Sequence, residues 1–334
     1  MNEGLKMNTL QYFKQLRSIV NKASIILRIL RDEQFEAERL SGELLRNVHS
    51  IEKGLSLRSV RSCFGLLKIN EAGTIANRLL DINQDEYKEE VMMFIDSLKA
   101  YLDYHKNSNI VDSRLEQVLN LTHELSNRLN ISESSESIGG YKFVQLREHT
   151  REEYELLSQI IHSRHSIREF SGEPVPIDKI LESIDLARYC PSACNRQAFG
   201  IHIVFKDMMS IFQNWFDGVG GFSNELDKLL LITAKISSYR ADEEMQYIVS
   251  SAVLSGYLTL TLEANNIGCC YIQRPVLPTE QWKIISKKLE IPQDEQIICA
   301  LGIGMKSSSY KIPISNRINI NRIVSLHDVK HENI

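Results

Sequence analysis

The spacing of apolar residues changes once along this 334-residue chain, and that change constrains the fold more than any other feature. Up to about residue 130, apolar residues recur every three or four positions with few helix breakers. Examples are "RDEQFEAERLSGELLRNVHSIEKGL" (31–55) and "EYKEEVMMFIDSLKAYLDYH" (86–105), separated by the less regular "SLRSVRSCFGLLKINEAG" (56–73), which Gly65 and Gly73 interrupt. The pattern predicts an all-helical N-terminal domain over residues 1–130.

The helical pattern ends in "SNRLNISESSESIGG" (126–140), which is rich in Ser, Asn and Gly. Such a composition is typical of a linker. We therefore expect a linker over 131–145 and a second domain over 146–334. The stretch His49–Gly65 in the helical domain is dense in polar and basic residues. Either it lines a substrate pocket, with Arg58 and Arg61 as candidate anion ligands, or it is a helix end and loop stabilised by its own ion pairs; the second interpretation is favoured.

Strands alternate with helices after the linker. Short apolar runs with β-branched residues predict strands at 200–206, 228–236, 267–273 and 296–305. Helical spacing predicts helices at 151–164, from "PVPID" to just before Pro191, at 244–265, and after Pro278. The second domain is therefore expected to be α+β or mixed α/β.

Composition excludes several classes of protein. Hydrophobic residues make up 43% and charged residues 25%, as in soluble globular proteins, and a net charge of −4 indicates no general affinity for nucleic acid. Six cysteines in a chain of this length do not suggest a disulfide framework, and Cys190 and Cys194 lack the paired ligands of a zinc site. Without a signal peptide or a run of 18 apolar residues, a cytoplasmic location is expected.

The segment Phe13–Leu30 combines helical spacing of apolar residues with interspersed Lys and Arg and no acidic residue. A basic amphipathic helix of this kind binds an anionic membrane surface or packs on its own domain. The second interpretation is favoured.

Two polar segments are the candidate binding residues. "SRHSIREF" (163–170) ends a predicted helix and carries Arg164, Ser166 and Arg168, which suit a phosphate; alternatively, it is a basic helix end. "RYCPSACNRQAF" (188–199) gathers small and hydrogen-bonding residues, which suit the edge of a heterocycle; alternatively, it is a polar turn. One helix joins the segments, which lie about 25 residues apart.

Together these segments resemble the FMN-dependent nitroreductase family. The match runs through "RHSIREFSGEPVPIDKILESIDLARYCPSACNRQAFGIHIV", "SSAVLSGYLTLTLEANNIGCCYIQRP", "CALGIG" and "PISNRINI", covering about residues 150–326. The resemblance implies a mixed β-sheet flanked by helices, an intertwined homodimer and an FMN site at the dimer interface. Cys194 and Ala198 depart from the family pattern, and Cys194 is either a packing residue or a reactive thiol.

The resemblance also implies roles for individual residues. Arg164, His165 and Ser166 would contact the phosphate and ribityl chain, Arg168 the polar edge of the ring, and Arg317 the phosphate again. The turn would complete the partner's site, and the end of the third strand would flank the ring. The residues of the turn are Pro191, Ser192, Ala193, Asn195 and Gln197. The residues at the end of the third strand are Tyr271, Ile272 and Gln273.

The expected activity is flavin-dependent oxidoreduction. NADH or NADPH would reduce FMN, which would then reduce a nitro- or quinone-like acceptor or a dedicated pathway substrate by a ping-pong mechanism. Because the flavin carries the chemistry, no protein residue is expected to act as a catalytic acid or base, and no metal is expected. Two alternatives remain open: a tailoring dehydrogenase or oxidase, and a non-catalytic flavin-binding module.

Overall fold

The computed structural model describes residues 29–131, 137–212, 219–243, 245–272 and 279–327, apart from the side chains of 279–281, together with Phe13, Leu16, Val20, Ala23, Ser24 and Leu27. The basic side chains of the predicted amphipathic helix at positions 14, 17, 22 and 28 lie outside these residues. None of the helices in the described ranges is long and apolar enough to cross a membrane.

Three helices of the N-terminal region have described bounds: α1 (Glu36–Leu55), α2 (Leu66–Asn107) and α3 (Arg114–Arg128). On α1, Leu44, Val48, Ile51 and Leu55 recur at helical spacing and are buried against α2. The helix α2 changes direction at Asn83, whose φ of −159° and ψ of 97° are not helical. This region has an apolar core of its own, as the sequence pattern predicts.

The irregular stretch between the first two helices is shorter than the sequence suggests. Helix α2 begins directly after Gly65, whose φ of +69° is in the left-handed region that glycine tolerates. Gly73, expected to interrupt the pattern, lies inside α2, where a Cβ would come within 2.7 Å of the Leu121 side chain. Its lack of a side chain lets α2 and α3 approach closely, so this glycine serves packing and does not break the helix.

The end of the predicted linker is attached to the helical region. The backbone N–H of Ile138 donates to Asp96 (3.0 Å), and that of Gly140 donates to Glu52 (3.1 Å). Residues 141–150 are exposed and have no regular secondary structure. Thr150 and Glu153 then form a reciprocal capping box at the start of the next helix.

The second region contains four helices: α4 (Arg151–Ser163), α5 (Ile177–Ala187), α6 (Gln246–Ala264) and α7 (Thr279–Lys288). Its strands are β1 (Phe199–Phe205), β2 (Lys228–Lys235), β3 (Ile267–Ile272) and β4 (Glu295–Met305). They form one sheet in the order β1-β2-β4-β3, and neighbouring strands pair antiparallel. A parallel bridge between Ser166 and Cys269 adds a short segment beside β3. The α+β prediction is confirmed.

Each face of the sheet is covered by a separate apolar core. On one face, strand residues such as Leu230 and Leu301 pack with α5 and α6. On the other face, Leu229, Leu231 and Ile272 pack with residues of the 208–226 segment and α7. Because side chains alternate along a strand, one strand supplies both cores, which explains why these strands read as continuous apolar runs.

The two regions contact each other through α1. Gly42 on α1 lies so close to residues 236–238 that a Cβ there would be 2.2 Å from the Ser238 carbonyl oxygen. An ion pair between Lys235 and Glu38 (3.1 Å) joins the regions beside this contact. The helical region is therefore packed directly on the segment that follows β2.

Candidate functional site

The first candidate segment, 164–168, is held beside β3 by its main chain. Helix α4 ends at Ser163, and Arg164 leaves it with extended dihedral angles (φ −68°, ψ 117°). The N–H of Ile167 donates to the carbonyl of Cys269 (3.0 Å), and the Ile167 side chain is fully buried. This anchoring fixes the backbone and turns the flanking side chains away from the core.

The side chains of this segment are available to a ligand. Those of Arg164, His165 and Ser166, all partly buried, make no hydrogen bond or ion pair with other described residues. Arg168 is exposed, and its guanidinium carbon lies 5.7 Å from the centroid of the Phe222 ring. Two guanidinium groups and a hydroxyl form a donor set suited to an anion such as a phosphate.

The second candidate segment, 192–197, is a strained turn. Cys194, Asn195 and Gln197 have φ of +53°, +52° and +51°, a region that costs a non-glycine residue about 1–2 kcal/mol. Two hydroxyl groups hold the turn, since Ser250 Oγ accepts from the Ala193 N–H (3.1 Å) and Ser192 Oγ accepts from the Gln197 N–H (3.2 Å). The Pro191 and Asn195 residues are exposed.

A buried arginine, which sequence analysis did not identify, also anchors this turn. The Arg196 side chain is 1% exposed and forms an ion pair with Glu243 (2.9 Å). Its Nε donates to the Gly42 carbonyl of α1 (3.2 Å), and its guanidinium carbon lies 5.0 Å from the centroid of the Tyr239 ring. The one signal in the sequence was Gly42, because a glycine inside a helical pattern indicates that another part of the chain packs closely against the helix.

The end of β3 presents two neighbouring side chains to opposite faces of the sheet. The Tyr271 hydroxyl is hydrogen-bonded to Ser255 on α6 (2.6 Å) and donates to the Cys299 thiol (3.3 Å). Burial raises the pKa of this hydroxyl, which stays protonated. Ile272 is buried on the other face. At most one of these two side chains can therefore face a given planar ligand, and Gln273 lies outside the described residues.

Ile272 lines a cavity of about 280 Å³. Most of its lining is apolar, and it includes Met209, Phe212, Leu226 and Leu229. The Arg168 guanidinium lies over the ring of Phe222, and the next residue, Ser223, lines the cavity. An apolar cavity thus opens close to the first candidate segment, where a small organic molecule fits better than an ion.

Arg317 is the predicted site residue of the C-terminal arm. It is exposed on a C-terminal arm, residues 311–327, whose only regular structure is a 3-10 turn at Ile320–Arg322. Its guanidinium donates to the Ser315 carbonyl in the same arm. In the helical region, Arg58 and Arg61, candidate anion ligands in the 49–65 stretch, are exposed as well.

The structure brings some of the predicted residues together and keeps others apart. The main chain of residues 164–168 pairs with Cys269, in the middle of β3. Within the described ranges, no hydrogen bond or ion pair joins this segment to the 192–197 turn. Both nevertheless touch elements that α6 organises: Ser250 holds the turn, and Ser255 holds Tyr271.

No group of three or more His, Cys, Asp or Glu residues in the described part of the chain is arranged to hold a metal ion. Five of the six free thiols are buried, and Cys194 alone is partly exposed. Burial raises the pKa of the Cys190, Cys269 and Cys270 thiols, which therefore remain neutral.

Residues 161–216 match the sequence model of the Nitroreductase family. This segment of the chain is similar to that family. The segment includes both candidate stretches, 164–168 and 192–197, and the strand β1 that follows them. No curated protein matches the chain significantly.

Several solved structures are similar to a part of the chain. A nitroreductase from Desulfovibrio desulfuricans in complex with FMN is 15% identical, with 52% of this chain and 96% of that chain covered at a TM-score of 0.44. An FMN-dependent nitroreductase from Clostridium difficile is 20% identical, with 51% and 98% covered at a TM-score of 0.42. A nitroreductase-like protein from Bacillus cereus is 13% identical, with 55% and 100% covered at a TM-score of 0.44.

Proposed function

We propose that this protein is an FMN-dependent oxidoreductase that uses NADH or NADPH and reduces a small organic acceptor. The observation that carries the proposal is the 164–168 segment, which lies within the nitroreductase-family match. Its main chain is fixed on β3 while the side chains of Arg164, His165 and Ser166 make no hydrogen bond or ion pair with other described residues. A cationic donor set on a rigid backbone is what binding of a phosphate-bearing cofactor requires.

The donor set is chemically suited to FMN. Arg164, His165 and Ser166 would hold the phosphate and ribityl chain, with Arg317 of the C-terminal arm as a second cationic partner. Arg168 would orient the polar edge of the ring, where a positive charge stabilises negative charge on the cofactor. Ile272 would contact the ring from the apolar side, whereas the Tyr271 hydroxyl is already engaged by Ser255.

When bound, FMN supplies the hydride chemistry between the nicotinamide and the acceptor, and the protein supplies binding and orientation. The cavity lined by Met209, Phe212 and Ile272 is the proposed acceptor site. Its volume of about 280 Å³ and its mostly apolar lining favour a small organic molecule. No side chain is assigned as a proton donor.

We also propose that two copies of the chain pair and complete each other's sites. Large apolar side chains are unusually exposed on α4 and on the C-terminal arm: Tyr154 is 59% exposed, Leu156 61%, Ile314 88% and Leu326 92%. Exposed apolar surface of this extent favours a partner, and a second copy is the partner that would add its 192–197 turn. Sedimentation analysis tests this: a monomer at micromolar concentration would contradict the pairing.

The visible spectrum of the purified full chain with added FMN, before and after anaerobic NADH and NADPH, tests the main proposal. A bound flavin band that bleaches supports both cofactor binding and reductase activity. The variant Arg164→Gln is expected to lose most FMN affinity, whereas Arg151→Gln, on the exposed side of α4, is the matched control and keeps it.

The alternatives give different spectra. A bound flavin that neither nicotinamide bleaches, but that an organic substrate reduces, indicates a dehydrogenase or oxidase. A flavin that nothing reduces indicates a binding module. No bound flavin at all would contradict the proposed cofactor and with it the proposed function.

A further inference from the structure

The strained turn 192–197 depends on residues far from it in sequence. Three of its residues hold left-handed backbone angles, which cost Cys194 and Gln197 about 1–2 kcal/mol each, whereas an asparagine such as Asn195 adopts them more readily. Such a conformation persists only when surrounding contacts over-determine it. Ser250 supplies one of those contacts from α6, at the Ala193 end of the turn. At the other end, Ser192 holds the Gln197 N–H from within the turn, and Arg196 makes the contacts to residues distant in sequence.

Arg196 connects the turn to two other parts of the molecule. Its Nη2 bonds both carboxylate oxygens of Glu243, at 2.9 and 3.0 Å, in the segment that leads into α6. Its Nε donates to the carbonyl of Gly42 on α1, a partner 154 residues away. Since this side chain is almost entirely buried, water does not compete for these bonds.

Steric contact fixes the position of the Gly42 carbonyl. Helix α1 lies against residues 236–238 so closely that any side chain at position 42 would overlap the Ser238 carbonyl. The acceptor that Arg196 uses therefore cannot shift without separating the helical region from the second region. Lys235 and Glu38 form a second link between these regions, one that does not include the turn.

We propose that Arg196 is a positioning residue that couples the N-terminal helical region to the flavin site. Because Arg196 bonds both Gly42 and Glu243, it holds the 192–197 turn in the geometry that a flavin requires. Helix α1 is then part of the scaffold of the site. This inference rests on the proposed function for its flavin part, because the role of the turn is to contact FMN.

The turn can be observed without any flavin. Cys194 lies at its centre and is partly exposed, whereas the other five thiols are buried. The rate at which a thiol reagent labels Cys194 in the native protein therefore reports the geometry of the turn. Measuring that rate over a range of pH separates a change in access from a change in the fraction of thiolate, which removal of a neighbouring positive charge also alters.

The experiment compares Arg196→Gln and Arg196→Lys in the full-length chain, with Glu38→Gln as the control that breaks the other link. Arg196→Gln is expected to change the access-limited labelling of Cys194 severalfold and to raise the Kd for FMN about tenfold. The midpoint potential of bound FMN should shift as well. Arg196→Lys should recover part of each effect, and Glu38→Gln should leave all three quantities at their wild-type values.

Several results would overturn the inference. The first is a folded Arg196→Gln variant whose Cys194 labelling rate, Kd for FMN and midpoint potential all equal those of the wild type. The second is an equal change of these quantities in Glu38→Gln, which would indicate that any broken link loosens the contact between the two regions. If Arg196→Gln does not fold, Glu243→Gln weakens the same network more mildly and must show the same direction of change. If the wild type binds no FMN, the proposed function is wrong, and the Cys194 labelling alone then decides whether Arg196 holds the turn.

Discussion

The two candidate segments of the flavin site are held in place in different ways. Residues 164–168 are anchored by their own main chain, which bonds to β3, and by the buried side chain of Ile167. The 192–197 turn is anchored by side chains, with Ser250 at one end and Arg196 at the other. A segment of the first kind tolerates changes in its exposed side chains. A segment of the second kind depends on residues far away in sequence, including the helical region.

The largest expected effect comes from removing the buried partner of Arg196. Glu243→Ala leaves a buried guanidinium without its counter-charge, and breaking such a pair destabilises a protein by about 3–5 kcal/mol. Urea unfolding measures the loss. Glu155→Ala, which breaks the exposed Arg151–Glu155 pair on α4, is the control and should leave the unfolding midpoint unchanged. Similar unfolding midpoints for Glu243→Ala and Glu155→Ala would contradict the idea that the 192–197 turn depends on the buried Arg196–Glu243 pair.

A core substitution in the 164–168 segment should lower the free energy of unfolding nearly as much as Glu243→Ala does, but it should leave the 192–197 turn unchanged. Ile167 is fully buried, so Ile167→Ala is expected to lower the free energy of unfolding by about 2–5 kcal/mol. Leu67→Ala, at a position 86% exposed on α2, serves as the control. Cys194 labelling below the unfolding transition should match the wild type, and a changed rate would show that the two segments are anchored together.

A substitution in the contact between α1 and residues 236–238 is expected to lower the free energy of unfolding by a smaller amount. Gly42→Ala adds a methyl group that would lie 2.2 Å from a carbonyl oxygen, and overpacking of this kind costs about 1–3 kcal/mol. Gly220→Ala, where no atom lies within 4 Å of the added Cβ, is the matched control. If the turn depends on α1, Gly42→Ala changes Cys194 labelling and Gly220→Ala does not. Equal thermal stability of both variants would contradict the close packing.

The smallest effect on stability is expected at Arg168. This side chain is exposed and lies over the Phe222 ring, so Arg168→Gln should leave the unfolding midpoint where it is. The same change should weaken FMN binding about tenfold, as loss of a charged hydrogen bond to a ligand does. Fluorescence titration of FMN measures this. A variant that is destabilised but binds FMN normally would reverse the functional interpretation of the first segment.

The N-terminal region shows how far local pattern carries a prediction. The buried stripe of α1 follows directly from the spacing of Leu44, Val48 and Ile51. The same reasoning misjudged Gly73, because a glycine that permits close packing and a glycine that ends a helix look alike in sequence. The break within α2 at Asn83 carried no signal that was recognised.

The site was predictable to a different degree in each of its parts. Arg164, Ser166 and Arg168 follow the end of a helix and precede a family-like pattern, so their neighbourhood was evident from the sequence. Tyr271 and Ile272 were grouped together, yet alternation along β3 sends them to opposite faces. The 192–197 turn was identified, but what holds it was not.

The sequence by itself determined the helices, the strands and the α+β class of the second region. These features depend on hydrogen bonds and apolar spacing within a few residues, so a short window of sequence contains them. The tertiary structure alone decided that Arg196 is buried, that Gly42 and Glu243 are its partners, and that α1 packs beside the turn. A polar residue in a polar stretch reads as solvated until the fold brings a distant helix over it, because burial is a property of the whole packed chain.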